Sequence, residues 1–156
     1  MGAHLEFQKI SPNEAYNFVV NSEEFITYYL TPKSVEYSTY TLGYSPVVIA
    51  EVFADYYNIR QTIIRKGHEI QGNWENGLSG RLSLFNPEET RAFSDLLTPL
   101  NPLDVANSNA DRCELSTNSN ERRDYLEHCV SVITEIQEFL GSAAASNQAL
   151  VIYFGH

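Results

Sequence analysis

Four histidines (His4, His68, His128 and His156) and two cysteines (Cys113 and Cys129) carry the acid–base, nucleophilic and metal-binding potential of this chain near neutral pH. His4 and Glu6 stand two apart, a spacing that puts both side chains on one face of a strand. A metal centre needs three or four convergent ligands, and the sequence supplies no further ones, so the pair equally suits a polar edge facing solvent. Asp124 and His128 stand four apart, the spacing of an ordinary intrahelical charge pair, with no nucleophile placed beside them in a triad. Cys129 falls on an apolar helical stripe and reads as a buried, inert thiol. Cys113 follows Arg112, a neighbour that can lower a thiol pKa. These patterns assign no catalytic residue, no metal and no cofactor.

Two other constellations point to binding. Gly67, Gly72, Gly77 and Gly80 frame a loop that holds His68, Glu69, Trp74 and Glu75. Glycines allow close approach of a partner, and a lone Trp is a common interface anchor that can also fold back onto a core. Neither GxGxxG nor GxxxxGK[ST] is present, so no phosphate cradle is supported. Eight of the ten tyrosines lie between Tyr16 and Tyr57, in a segment without clean core periodicity. Tyrosine offers a large contact area with few rotors to freeze, although it also suits half-buried strands. Tyr37, Tyr40, Tyr44, His68, Glu69, Trp74 and Glu75 are therefore the expected partner-binding residues.

The elements that must position these residues follow from periodicity and caps. A short alternating strand runs into Ser11-Pro12-Asn13-Glu14, where Ser11 can cap and Pro12 suits the first helical position of a helix to about Val20. A second short helix is expected from Ser22 to before Thr31-Pro32, then an extended or hairpin segment over Lys33 to Ser45. Ser45-Pro46 opens one long helix to about Lys66, stopped by Gly67. Leu78 to Phe85 alternates as a strand, and Asn86-Pro87-Glu88-Glu89 starts a helix that ends near Pro99. Residues 101–120, rich in Asn, Ser and Asp, read as a polar loop. The strongest helix runs from about Glu121 to Leu140, extended through Ala145, with Asn147 as a left-handed stop. Ala149 to Phe154 is apolar on both faces and belongs inside a sheet.

The chain has 156 residues and a net charge of −10. Its 43% apolar content suits a globular protein. The expected organisation is one domain over 1–156, α+β, with a mixed or antiparallel sheet of about four strands and helices packed on it. Such an acidic surface repels phosphate backbones and anionic membranes, which disfavours nucleic acid and membrane as partners and favours a basic protein. No apolar run is long enough for a bilayer span, and no basic, apolar leader is present. With two cysteines lacking CxxC spacing, reduced thiols in a cytoplasm are expected.

The order of these motifs resembles the YfbM-like family, small bacterial proteins of unassigned function. The matching parts are Met1-Gly2 with Phe7, Ile10 to Glu14, Leu84 to Glu89, Tyr125-Leu126, Phe139, Ala143-Ala144 and Ala149 to Tyr153. The stretch from Lys33 to Gly80 lies outside the resemblance. What the resemblance implies is an α+β fold, with no active site to carry over.

Charge, clustered tyrosines and the lack of a catalytic signature favour a non-catalytic protein-binding module. Its concrete form is an immunity-type or antitoxin-like protein that blocks a basic bacterial toxin, as a monomer or homodimer. The alternative is a small enzyme or a ligand- or metal-binding protein, with His4, Glu6, His68 and Glu69 converging in one pocket.

Overall fold

Among the described residues, four helices begin with Ser or Asn followed by proline, and in each the polar side chain takes up helix amides that would otherwise lack partners. The structure is a computed structural model and describes residues 4–21, 41–70 and 80–155. Ser11 Oγ accepts from the Glu14 amide at 3.1 Å and starts α1 (Pro12–Val20). Ser45 Oγ accepts from Val47 and starts α2 (Pro46–Val52). Asn86 and Glu89 cap each other reciprocally at the start of α4 (Pro87–Leu97). Asn101 Oδ1 accepts from the Leu103 and Asp104 amides and starts α5 (Pro102–Arg112). Two described helices begin without proline: α3 (Tyr57–Arg65), and the 26-residue α6 (Asn120–Ala145), capped by Ser119.

Five strands form one antiparallel sheet in the order β2-β1-β5-β4-β3, where β1 is His4–Ile10, β2 Thr41–Tyr44, β3 His68–Ile70, β4 Gly80–Phe85 and β5 Ala149–Gly155. The expected count of about four is thus five, the extra member being the three-residue β3. β5 is the central strand, which explains why its sequence is apolar on both faces. Leu5, Phe7, Phe85, Leu150 and Ile152 pack beneath α2 to α6 with Ile49, Phe53, Phe93, Ile133, Ile136 and Leu140. The opposite face places Ile10, Leu82, Leu84, Ala149 and Val151 against Ala15 and Phe18 of α1. Each fully buried Phe or Leu of these layers contributes about 1.5–3 kcal/mol.

Two expectations are corrected. The single helix from Pro46 to Lys66 is two helices, broken at Phe53–Tyr56. No Pro or Gly breaks it. Asn109 Nδ2 donates to the Val52 carbonyl at 2.9 Å, and Arg112 donates to the Glu51 carbonyl at 3.0 Å, so α5 satisfies the end of α2. The turn lets Ile59 and Ile63 join the same core as Ile49 and Phe53. Residues 101–120 are not a loop, because 102–112 form α5. Val105, Ala106, Asn109 and Ala110 bury a helical stripe there against neighbours that outweigh the poor helix propensity of the local Asn and Ser residues. Beyond these, Gly67 has φ +92° after α3 and Asn147 has φ 52° after α6, as their positions predict. The helix expected from Ser22, and most of the segment from Lys33 to Ser45, lie outside the described residues.

Candidate functional site

Of the seven expected binding residues, Tyr37, Tyr40, Trp74 and Glu75 lie outside the described residues. Tyr44 ends β2 on the helix-covered face, half-buried, and its hydroxyl donates to the Glu135 carboxylate of α6. Burial first, then the hydrogen bond to Glu135 and its charge, push its pKa far above the ordinary tyrosine value. His68 and Glu69 are consecutive on β3 and so point to opposite faces. Both are exposed, and Glu69 reaches Arg81 at 4.0 Å.

The pocket that would unite His4, Glu6, His68 and Glu69 is not assembled. Register places His4, Glu6 and His68 on the α1 side of the sheet and Glu69 on the other. His68 also stands three strands from β1, about 14 Å at normal strand spacing. The residue brought to His4 and Glu6 is instead Tyr153 of β5, directly opposite Glu6 in the ladder. Its ring lies edge-on to His4 at 5.1 Å, and its hydroxyl fills the space where Gly155 lacks a side chain. Burial, and secondly the Glu6 charge, raise the Tyr153 pKa, which favours the protonated hydroxyl, able both to donate and to accept. Strand register alone joins these three residues, which is why spacing along the chain missed Tyr153. Among the described residues, no group of three or more His, Cys, Asp or Glu could hold a metal ion.

The two thiols are both free, Cys113 exposed and Cys129 buried. Cys129 is buried as expected, and burial is the first cause that raises its pKa and favours the thiol. Cys113 Sγ lies 3.9 Å from the Tyr125 hydroxyl. Arg112, the expected activator of Cys113, is committed elsewhere: to Asp55 at 3.0 Å, to the Glu51 carbonyl and to Asn109. Asp124 and His128 are exposed on α6.

The outer face of α6 is the most coherent charged surface. Glu121, Asp124, Glu127, Glu135 and Glu138 are all exposed along about 26 Å of helix. Arg123 is the single exposed lysine or arginine on that helix. The ion pairs among the described residues join Arg81 to Glu69, Arg112 to Asp55 and Arg122 to Asp111, and none includes the five acids. At the N-terminal end of this face an open groove of about 400 Å³ is lined by Leu103, Leu126 and Val130, with Arg123 and Glu127 also at its walls. Reading residues 101–120 as a loop hid this groove, because Leu103 at the start of α5 and Thr117 to Ser119 face α6 across it. No helix among the described residues is long and apolar enough to cross a membrane.

This geometry defines an α+β protein whose described residues form a five-stranded antiparallel sheet with five helices on one face and one on the other. No family model matches the chain, and no curated protein matches it. Among solved structures it is similar to YfbM from Escherichia coli, described as a protein of unknown function, with a TM-score of 0.59 and 14% identity over 97% of this chain and 99% of that one. The likeness is one of fold, and it supports the YfbM-like architecture that the sequence motifs suggest.

Proposed function

We propose that this chain is a non-catalytic protein-binding module of the YfbM-like kind that takes a basic protein partner. In concrete form it is an immunity-type or antitoxin-like protein that works in the cytoplasm, where its two free thiols suit a reducing compartment. The observation that carries this reading is the row of five exposed acids on α6, outside every ion pair among the described residues. Such a row steers a cationic surface and favours fast, salt-sensitive encounter. With a Debye length of about 8 Å at physiological ionic strength, its pull acts at close range and weakens as salt rises. Tyr37, Tyr40 and Trp74 are the proposed anchors, since large rings immobilise few rotors on binding. Tyr44 supplies its ring alone, because its hydroxyl is held by Glu135.

The test is affinity capture with the tagged full chain from its own host lysate at low and moderate salt, in parallel with a Glu121→Lys/Asp124→Lys/Glu138→Lys variant. One stoichiometric basic partner, held by the native chain and lost by the variant, supports the reading. Relief of that partner's toxicity on co-expression establishes the immunity role. Recovery of the chain alone, or equal capture by the variant, overturns it.

A further inference from the structure

The groove at the N-terminal end of α6 carries two opposite charges that do not meet. Arg123 and Glu127 stand four apart on α6, both exposed and both lining the groove. That spacing sets their Cβ atoms about 5–6 Å apart and allows an ion pair, but in the less favourable order, with the cation nearer the helix N-terminus. None forms: the ion pairs among the described residues are those of Arg81, Arg112 and Arg122. The Arg123 side chain donates to Asn120, which leaves other N–H groups of its guanidinium open. Glu127 has no hydrogen-bond or ion-pair partner for its carboxylate among the described residues. Beside these charges the groove is apolar. Leu126 and Val130 are half-buried and pack on the main core, so the surface they offer is held in place. Leu103, 52% exposed, lines the groove from the start of α5. Arg122, the other cation of the groove, is 8% exposed and already committed to Asp111, Asn107 and the Leu115 carbonyl. A volume of about 400 Å³ lies in the range of small-molecule sites, whose usual make-up is apolar walls with a few placed polar groups.

The geometry points to this groove as a binding site for a free apolar α-amino acid such as leucine. The ligand carboxylate accepts from the Arg123 guanidinium, its ammonium donates to the Glu127 carboxylate, and its side chain covers Leu103, Leu126 and Val130. A zwitterion is the complement of two unpaired opposite charges one helical turn apart, whereas a ligand of single charge leaves one of them without a partner. A peptide carries its ammonium and its carboxylate at different ends, so the pair selects the free amino acid. The site goes beyond the row of acids proposed to meet a basic protein, because it uses only Glu127 of those five.

Backbone amide NMR of the full chain, titrated with L-leucine, reads both affinity and location. Saturable shifts are expected at Leu103, Leu126 and Val130, with a Kd of about 1 mM or below. Glycine lacks the side chain, 4-methylpentanoate the ammonium and 3-methylbutylamine the carboxylate, and each is expected to bind at least about fivefold more weakly. Arg123→Gln and Glu127→Gln, both at exposed positions, should each weaken leucine binding at least about fivefold. Arg123→Gln should leave 3-methylbutylamine binding unchanged, and Glu127→Gln that of 4-methylpentanoate, a split that general loss of structure would not produce. The proposal is overturned by the absence of a saturable shift up to about 10 mM leucine. Equal binding of either singly charged analogue, or a leucine Kd unchanged in either variant, also overturns it.

Discussion

Asn109→Ala tests the joint on which the helical layer turns. Asn109 is 1% exposed, donates to the Val52 carbonyl at 2.9 Å, and accepts from Arg112 Nη2 at 2.9 Å. Alanine removes the donor and leaves a buried carbonyl at the end of α2, at a cost of about 1–3 kcal/mol. The space left by the lost amide adds about 0.5–1 kcal/mol if the surroundings relax only partly. The sum is about 1.5–4 kcal/mol, which for a chain of this size lowers Tm by roughly 5–12 °C. Equilibrium urea unfolding, followed by far-ultraviolet circular dichroism and by tyrosine fluorescence, measures it directly, with coincident transitions confirming two-state behaviour. Arg112→Ala, at an exposed position that also serves the α2 end, should cost less. A loss below about 0.5 kcal/mol for Asn109→Ala would be at the level of an ordinary surface substitution and would refute the idea that Asn109 holds the break between α2 and α3.

Tyr44, Tyr125 and Tyr153 all have raised pKa values, with burial as the first cause in each. Above the ordinary tyrosine value of about 10 the folded chain therefore holds protons that the unfolded chain releases, so this contribution to stability is complete below pH 10 and falls as pH rises beyond it. Their tyrosinate absorbance should appear together with loss of the far-ultraviolet signal, and Tyr→Phe at each position should remove amplitude from that step; ionisation of these three in the still-folded chain would contradict it. Gly67→Ala should cost about 1–3 kcal/mol, because φ is +92° there and an added Cβ would lie 2.9 Å from the Phe85 ring and 3.0 Å from the Leu84 carbonyl. Thermal unfolding checks this, and a Tm equal to the native value would mean that the turn into β3 is not the one described.

The sequence by itself determined the features whose physics is local. Ser11-Pro12, Asn86-Pro87 and Glu89 mark helix starts because capping needs only side chains within three residues of the free amides. The apolar stripe of α6 and the two-sided apolar run of β5 state their burial without a partner being named, since each periodicity reflects one element's own geometry. Asn101-Pro102 carried the same starting signal, and the polar residues after it masked a helix that gains its stability from packing on α6 rather than from propensity. What tertiary structure decided was every relation between distant segments. The break after Val52 depends on an amide 57 residues away, and nothing in Phe53 to Tyr56 announces it. The meeting of His4, Glu6 and Tyr153, the separation of His68 and Glu69 from them, and the burial of Lys9 against Ser142 all follow from strand order and register. Those are set by which apolar faces can be buried together, a collective minimum of the whole chain, so no window of sequence contains them.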